Sequence, residues 1–218
     1  MTGRIFGADY FIQGKDGIDL MTNKIRLATE ADAAAVLEIY GPICETSPIT
    51  FEIRSPTVSE IEGRIRAVSE RYPWLVCEHL DKVLGYAYAS GHHERAAYRW
   101  SIDVAVYISE KHRGQRVGTA LYTTLFELLR VQGFFKAYAG ITLPNPASVR
   151  LHQRFGFESI GVHRNVGYKA GAWHDVSWWE LTLRPAGGPP DEPTLIQEAV
   201  RRGDFATAMK SAEYLLRP

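Results

Sequence analysis

The amino-acid sequence predicts an α+β domain built around a mixed sheet. Some predicted strands follow one another directly, whereas others are separated by amphipathic helices. In the segment 99–108 every even position from Trp100 onward is apolar, which is the period of a strand with one buried face. This order of elements argues for an α+β or mixed-sheet domain rather than a regular doubly wound one.

In the first half of the chain the sequence predicts three strands and two helices. Thr29 can cap the first helix, and Gly41-Pro42 is expected to end it. Thr57 stands three residues before Glu60, in the spacing of a capping box. The predicted elements are a strand at 25–28, a helix after Thr29, a helix after Thr57, and a hairpin of strands 74–78 and 83–89.

The second half alternates strands and helices more regularly. Gly133 is expected to end the long helix, whose leucines share one stripe. The predicted elements are strand 99–108, helix 119–132, strand 134–141, helix 146–155, strands 157–162 and 176–183, and helices 194–202 and 204–216. In domain terms this predicts an extension or leader at 1–23, a main domain at 24–184, a Pro/Gly linker at 185–193 and a helical appendage at 194–218.

The two ends of the chain lie outside the predicted main domain. Residues 1–23 carry four glycines and no sustained periodicity, so an upstream start, a leader and an extra strand all remain open. In the appendage, Thr194 and Gln197 have capping-box spacing before an apolar stripe. We expect a helical hairpin that docks on the domain or on a partner subunit and takes no part in catalysis.

Composition narrows the classes of function. The 218 residues contain 25 Lys+Arg and 25 Asp+Glu, and this zero net charge argues against general nucleic-acid or anionic-membrane binding. Cys44 and Cys77 do not form a C-x-x-C pair, so a disulfide framework or a cysteine-rich zinc site is not expected. No apolar run reaches the roughly 18 residues of a membrane helix. The sequence therefore predicts a cytoplasmic protein without a metal, a nucleic-acid partner or a membrane partner.

The segment 113–119, Arg-Gly-Gln-Arg-Val-Gly-Thr, lies between a predicted strand and an amphipathic helix. Free backbone N–H groups in such a turn and at a helix N-terminus can cradle an anion, and arginines suit phosphate oxygens. The alternative is a plain loop with two solvated arginines. The segment lacks the Gly-Lys-Ser/Thr ending of a Walker A loop and the G-x-G-x-x-G spacing of a dinucleotide fingerprint.

The same segment resembles the acyl-CoA pyrophosphate loop of the GNAT acetyltransferase superfamily, written Q/R-x-x-G-x-G/A. Arg113 and Gly118 match its first and last positions, and Arg116 replaces the internal glycine. Other segments, within about residues 24–184, resemble the phosphinothricin N-acetyltransferase branch. They are Glu45–Ser47, Thr50–Glu52, Arg71–Val76, Ala97–Trp100, Val106–Ile108, Leu143–Asn145, Ser148–His152 and Trp173–Val176. Ile25–Asp32 resembles the first strand and helix start of the superfamily as a whole.

The resemblance implies a GNAT fold, with a mostly antiparallel mixed sheet flanked by helices, and acetyl-CoA as co-substrate. It further implies that strand 100–108 separates from its neighbour and holds the coenzyme by its main chain. The coenzyme-binding residues implied are Val106, Tyr107, Ile108, Arg113, Gly114, Gln115, Arg116, Val117, Gly118, Thr119 and Asn145. The substrate-binding residues implied are Phe51, Arg95 and Tyr98, and relatives of this branch suggest a homodimer.

Two residues are candidates for proton transfer. Strand alternation sends Asp103 away from the apolar face, and Asp103 falls where the family carries a glutamate proposed as general base. Aspartate is one methylene shorter, so a water relay to the amine is expected more than direct contact; a structural carboxylate is the alternative. His152 falls on the family's histidine near the substrate, but a histidine on a short helix is equally compatible with a structural role.

The resulting hypothesis is acetylation of the α-amine of a small glutamate-like amino acid, such as phosphinothricin or methionine sulfoximine or sulfone. The amine must first lose its proton, and then attacks the thioester without a covalent enzyme intermediate. The alternatives are another small amine, a peptide N-terminus, or a non-catalytic acyl-CoA sensor. His92-His93-Glu94 lacks the second spaced histidine of a zincin, which argues against a metal site there.

Overall fold

Seven strands form one sheet in the computed structural model, which describes residues 23–216. The predicted extension 1–23, apart from Asn23, and residues 217–218 of the appendage therefore lie outside the described residues. The strands are β1 (Lys24–Leu27), β2 (Trp74–His79), β3 (Lys82–Gly91), β4 (Ser101–Ile108), β5 (Lys136–Thr142), β6 (Glu158–Lys169) and β7 (Ala172–Thr182). Their spatial order is β1-β2-β3-β4-β5-β7-β6, and every neighbouring pair is antiparallel except β4 and β5.

Helices cover both faces of this sheet. They are α1 (Ala33–Thr46), α2 (Val58–Ser69), α3 (Val117–Gln132), α4 (Pro146–Arg154), α5 (Ile196–Ala199) and α6 (Gly203–Lys210). One core joins α3 to the face that carries Ile102 and Val104, and a second core joins α1 and α2 to the opposite face around Trp74 and Tyr86. The expected α+β architecture with a mixed, mostly antiparallel sheet is confirmed.

The strand β4 shows how the sequence pattern sets these two faces. Ile102 and Val104 are buried beneath α3, while Asp103 lies between them on the opposite face. Successive side chains of a strand alternate between faces, so the apolar residues that bury the strand also fix where the carboxylate must stand. The placement of Asp103 away from the apolar face is as expected.

The prediction that Gly41-Pro42 ends the first helix is wrong. The helix α1 continues through both residues to Thr46, although Pro42 has no backbone N–H to donate to the preceding turn. Ile43 and Cys44, which follow the proline, are buried against the second core. Burial of apolar side chains on the next turn outweighs the lost hydrogen bond, and this contribution is not visible in local sequence.

Several other boundaries differ from the prediction. The strand β4 begins at Ser101 rather than at 99, because Ala96–Tyr98 forms a 3₁₀ turn in which the N–H of Arg99 bonds Ala96. The helix α3 begins at Val117 instead of 119. The strands β6 and β7 are longer than predicted and pair as an extended hairpin with two register shifts. The helix α5 is shorter than 194–202, and its N-cap is Leu195, so the predicted capping role of Thr194 is wrong.

The C-terminal helices pack on the main domain itself. Ile196, Ala199 and Phe205 belong to the core beneath α3. The buried Gln132, at the end of α3, donates from Nε2 to the carbonyl of Thr194 over 2.8 Å and accepts from the N–H of Thr194 at its own carbonyl over 2.8 Å. Because its backbone serves this contact, Thr194 is held outside the helix. Within residues 23–216, no helix is long and apolar enough to cross a membrane.

Phe205 tests whether the C-terminal helices contribute to the stability of the domain. We expect Phe205→Ala to lower the free energy of unfolding by about 3 kcal/mol, because the side chain leaves a cavity in the main core. Urea unfolding followed by tryptophan fluorescence measures the change. Tyr214→Ala is the matched control, since that side chain is 66% exposed, and it should change stability by less than about 0.5 kcal/mol. Equal effects of the two variants would contradict the docking described above.

Candidate active site

The strands β4 and β5 are paired over three rungs and then separate. The paired residues are Ser101 with Lys136, Ile102 with Ala137, and Asp103 with Tyr138. Beyond Asp103, β4 stays paired with β3 as far as Ile108, while β5 stays paired with β7. A cleft therefore opens in the middle of the sheet, with its vertex at the rung of Asp103 and Tyr138. The separation expected from the family resemblance is present.

The free edge of β4 presents backbone groups to this cleft. The N–H of Ser109 bonds the carbonyl of Leu84 over 2.9 Å, which makes these two residues a hydrogen-bonded pair of the β3–β4 ladder. Hydrogen-bonded and non-bonded pairs alternate along an antiparallel ladder. The peptide groups of Val106 and Ile108 consequently point away from β3, towards the space that β5 has left. They can bind a ligand as an additional strand would.

A cavity of about 500 Å³ occupies the cleft and passes through the sheet. On one face it is lined by Ile43 and Ile49, from α1 and the loop that follows it. On the other face it is lined by Tyr122 of α3 and Leu151 of α4. Two molecules can therefore approach the vertex from opposite sides of the sheet.

The loop before α3 lies at the mouth of the cavity and ends in an unusual conformation. Arg116, the N-cap, has φ 63° and ψ 0°, in the left-handed region, and Gly114 has φ 76°. Arginine thus adopts the conformation for which glycine is the usual residue. This explains how the glycine-to-arginine departure from the family loop is accommodated: the backbone keeps the turn, at a cost in strain.

The N-terminus of α3 supplies free donors beside this turn. The N–H of Ala120 is the first to bond within the helix, to Arg116, so the N–H groups of Val117, Gly118 and Thr119 have no intrahelical partner. All three residues line the cavity, as do Arg113, Gly114 and Arg116. Gln115 does not; its Nε2 donates to the carbonyl of Lys111 over 3.0 Å. Free amides, a helix dipole and two arginines make an anion-binding mouth.

The helix α4 forms the far wall. Asn145 is its N-cap and accepts the N–H of Ser148 at its side-chain oxygen, so its amide nitrogen remains available to the cavity that it lines. His152 also lines the cavity but is 3% exposed. Its Nδ1 lies 2.8 Å from the carbonyl of Ser148 and its Nε2 lies 3.1 Å from the hydroxyl of Tyr122. Burial lowers the pKa of His152, which favours the neutral ring.

Asp103 stands at the vertex of the cleft, on the face opposite α3. Its Oδ1 lies 2.8 Å from Nδ1 of His92, and the His92 ring stacks on Tyr138 at 4.2 Å between centroids. Burial raises the pKa of the Asp103 carboxyl, and the hydrogen bond from His92 opposes this change. The net effect is an upward shift, so this carboxylate is a stronger base than an exposed aspartate.

The residues expected to bind substrate are spread over two loops on the same face as Asp103. The Phe51 ring packs against Gly167 of β6 and lies 6.4 Å from the His174 ring. Tyr98, 43% exposed, lies with its ring 4.6 Å from that of His93, and the exposed Arg95 caps the 3₁₀ turn that carries it. None of the three lines the cavity itself. Tyr98 is linked to the vertex through His92, since the centres of these two rings lie 6.3 Å apart.

Sequence reasoning missed several residues of the site. In the sequence His92 stands out only as part of an incomplete metal motif, although its position eleven residues before Asp103 suits a neighbouring antiparallel strand. Ile43 and Ile49 are ordinary apolar residues, and no local signal marks them as cavity walls.

Tyr107, which the resemblance implied as a coenzyme-binding residue, lines the cavity. Its ring also packs on that of Tyr86 at 5.3 Å between centroids, and burial raises the pKa of Tyr107 well above the ordinary value. Among residues 23–216 no group of three or more His, Cys, Asp or Glu side chains is placed to hold a metal ion.

A strand pair that separates beside a helix N-terminus, with a cavity through the sheet, defines an acyltransferase-type architecture. The family profile described as acetyltransferase (GNAT) domain matches residues 25–178. The chain belongs to this family, and it is an acetyltransferase. Membership sets aside the alternative of a non-catalytic sensor.

Within the family, the chain is similar to phosphinothricin N-acetyltransferases. It is 41% identical over 171 residues to phosphinothricin N-acetyltransferase of Streptomyces viridochromogenes, covering 78% of this chain and 93% of that protein. It is 32% identical over 172 residues to the L-methionine sulfoximine/L-methionine sulfone acetyltransferase of Pseudomonas aeruginosa, covering 78% of this chain and all of that one. A solved phosphinothricin acetyltransferase of Sinorhizobium meliloti, in complex with acetyl-CoA, superposes with a TM-score of 0.73 at 32% identity, covering 79% and 95% of the two chains.

The left-handed Arg116 gives a prediction about stability. We expect Arg116→Gly to raise the free energy of unfolding by about 0.5 kcal/mol, because relief of strain exceeds the added freedom of glycine in the unfolded chain. Arg116→Val should lower it by about 1 kcal/mol, since a β-branched side chain fits this region worse. Urea denaturation of the three proteins measures both changes. A stabilised valine variant would mean that the turn relaxes out of the left-handed region.

Proposed function

We propose that the enzyme transfers the acetyl group of acetyl-CoA to the α-amine of a small glutamate-like amino acid, of the phosphinothricin or methionine sulfoximine and sulfone type. The observation that carries the proposal is the cavity through the sheet, with the N-terminus of α3 and two arginines at one mouth and Asp103 on the last β4–β5 rung, next to the cavity-lining Val104. The substrates named for the relatives described above support the choice of amino acid.

Residues of this chain suit two parts of the coenzyme, its extended amide-bearing arm and its pyrophosphate. The peptide groups of Val106 and Ile108 face the cleft and suit an extended chain that carries amides of its own. The N–H groups of 117–119, with Arg113 and Arg116, suit a pyrophosphate. Bound there, acetyl-CoA supplies an activated thioester whose carbonyl carbon accepts the amine.

The acidic groups of the amino acid need cationic or hydrogen-bonding partners. Arg95 and Tyr98 offer both near the vertex, and they are exposed, so a substrate can reach them. Phe51, held against Gly167, provides an apolar wall for the aliphatic part. We assign these three residues to substrate binding and specificity.

The amine is the group that must change its protonation state. An amino acid's α-ammonium is mostly protonated at pH 7, and the acetyl carbon can be attacked by the neutral amine alone. Asp103 has a raised pKa and lies at the vertex, which suits a carboxylate that drives removal of this proton. The free amides of β4 then stabilise the oxyanion that develops on the thioester oxygen.

His152 is assigned a positioning role. Nδ1 of His152 faces the carbonyl of Ser148 and donates a hydrogen bond to it. Nε2 is therefore an acceptor, and the Tyr122 hydroxyl donates a hydrogen bond to it. Both ring nitrogens are thereby occupied within a buried site. We infer that His152 fixes α4 and Tyr122 at the cavity wall and does not exchange protons with the substrate.

The substrate class is tested by measuring release of CoA thiol with a panel of amines. We expect turnover with phosphinothricin, methionine sulfoximine and methionine sulfone, and much less with simple alkyl amines or tripeptides, because these lack the second acidic or sulfoximine-like group. Arg95→Ser should raise the KM for the amino acid and leave the KM for acetyl-CoA unchanged. Preference for peptides over free amino acids would replace this proposal by N-terminal acetylation.

Asp103→Asn tests the carboxylate at the vertex. We expect kcat/KM at neutral pH to fall by roughly 10²–10⁴-fold, the usual effect of a lost general base system, with part of the rate returning at alkaline pH. Binding of acetyl-CoA, measured by calorimetry, should be unchanged.

Thermal unfolding distinguishes this role from a structural one. Burial raises the folded-state pKa of Asp103 above its unfolded value, so ionising it at neutral pH opposes folding and the penalty disappears as pH falls below the unfolded pKa. The Asn variant should consequently melt no lower than the wild type at pH 7. A lower melting temperature together with an unaltered rate would make Asp103 a structural carboxylate.

A further inference from the structure

The ring of His92 bridges the two strands at the vertex of the cleft. Its Nδ1 is 2.8 Å from Oδ1 of Asp103 on β4, and its ring stacks on Tyr138 of β5 with 4.2 Å between centroids and 15° between planes. Asp103 and Tyr138 are the last paired rung before the strands separate. His92 therefore lies over the last rung before the cavity-lining residues Val104 and Ala139.

The hydrogen bond determines which nitrogen of His92 is free. An ionised carboxylate accepts hydrogen bonds and cannot donate, so Nδ1 carries the proton and donates it to Asp103. The lone pair is then on Nε2, at the far side of the ring. Within residues 23–216, Nε2 has no hydrogen-bond partner, and the His92 side chain is 16% exposed, so an incoming group can reach it.

We propose that Nε2 of His92 is the general base that takes the proton from the substrate ammonium, and that Asp103 is the positioning residue that holds the imidazole in the Nδ1–H form. This inference rests on the proposed acetylation of an amine. It removes the difficulty that aspartate is short for direct contact, because the imidazole extends the reach of the carboxylate across the vertex. The same division of roles between a carboxylate and an imidazole operates in Ser-His-Asp hydrolases.

The proton and electron balance of the step is complete without any other co-reactant. The substrate R–NH₃⁺ gives one proton to Nε2, which makes an imidazolium paired with the Asp103 carboxylate. The lone pair left on nitrogen forms a C–N bond to the thioester carbonyl carbon, and the C–S bond breaks with its electrons on sulfur. The amide nitrogen loses its second proton, the CoA sulfur takes one, and one net proton leaves to solvent from His92.

Several charged and titratable groups surround the imidazole and enter its pH dependence. The ring of His93 is centred 4.1 Å away and that of Tyr98 is centred 6.3 Å away, while the indole of Trp178 closes another side at 6.4 Å. Four groups face His92 from the elements packed against it: Asp103 on β4, Tyr138 on β5, Tyr98 on the 3₁₀ turn, and His93, which is next to His92 in the chain. Lys136 and Glu180 in turn influence the pKa of Tyr138. Asp103 is the group in hydrogen-bond contact with the ring, and its carboxylate favours the imidazolium that the step creates.

The test compares His92→Gln with His163→Gln, a control at an exposed histidine of β6. With the imidazole base in place, kcat/KM for the amino acid should rise less steeply with pH than it does without it. Without it, kcat/KM should rise tenfold per pH unit until the substrate amine itself is neutral. We expect a 10²–10³-fold loss for His92→Gln at pH 7 that narrows at alkaline pH, and a profile like the wild type for His163→Gln.

Two outcomes would overturn the proposal. If His92→Gln stays within about fivefold of the wild type while Asp103→Asn is strongly impaired, Asp103 takes the proton itself, directly or through water. If ¹⁵N NMR of the wild-type imidazole shows the Nε2–H form at neutral pH, the lone pair is on the wrong nitrogen; this second readout does not depend on whether any variant folds. Failure of the proposed function is separate, since the wild-type enzyme would then acetylate none of the amino acids in the panel.

Discussion

The structure depends on one interruption of hydrogen bonding, the end of β4–β5 pairing after Asp103 and Tyr138. A central strand that leaves its neighbour exposes peptide groups that must find other partners, because an unpaired buried N–H or C=O is costly. β4 keeps its bonds to β3 on one side, so the groups of Val106 and Ile108 are left for a ligand on the other. The proposed binding and chemistry both use the gap that results.

The surroundings of this gap hold it open. The helix α3 packs across the apolar face of β4 and places its first turn at the mouth, at the cost of a left-handed Arg116. On the other face, α1 runs past Pro42 so that Ile43 reaches the cavity wall. The C-terminal helices brace the far side of α3 through Gln132 and Thr194. Strain and irregular geometry are concentrated where the ligand binds, and ordinary packing elsewhere compensates for them.

Electrostatics differ on the two sides of the sheet. The α3 side offers free N–H groups and arginines, which suit phosphates, whereas the opposite side offers Asp103, with a pKa raised by burial, and an imidazole. One side therefore suits an anionic group and the other suits a cationic one. Separation by the sheet keeps the two sets of charges from neutralising each other.

The sequence by itself determined the fold class, the family, the strand that carries Asp103 and the loop before α3. These follow from periodicity and from short motifs, which are properties of neighbouring residues. Three features follow from tertiary contacts instead: His92 is hydrogen-bonded to Asp103, both ring nitrogens of His152 have hydrogen-bond partners, and α1 continues through Gly41-Pro42. Each of these depends on contacts between segments distant in the chain or on burial in a shared core. Hydrogen-bond partners of that kind are set by strand register and helix packing, and no local pattern encodes them.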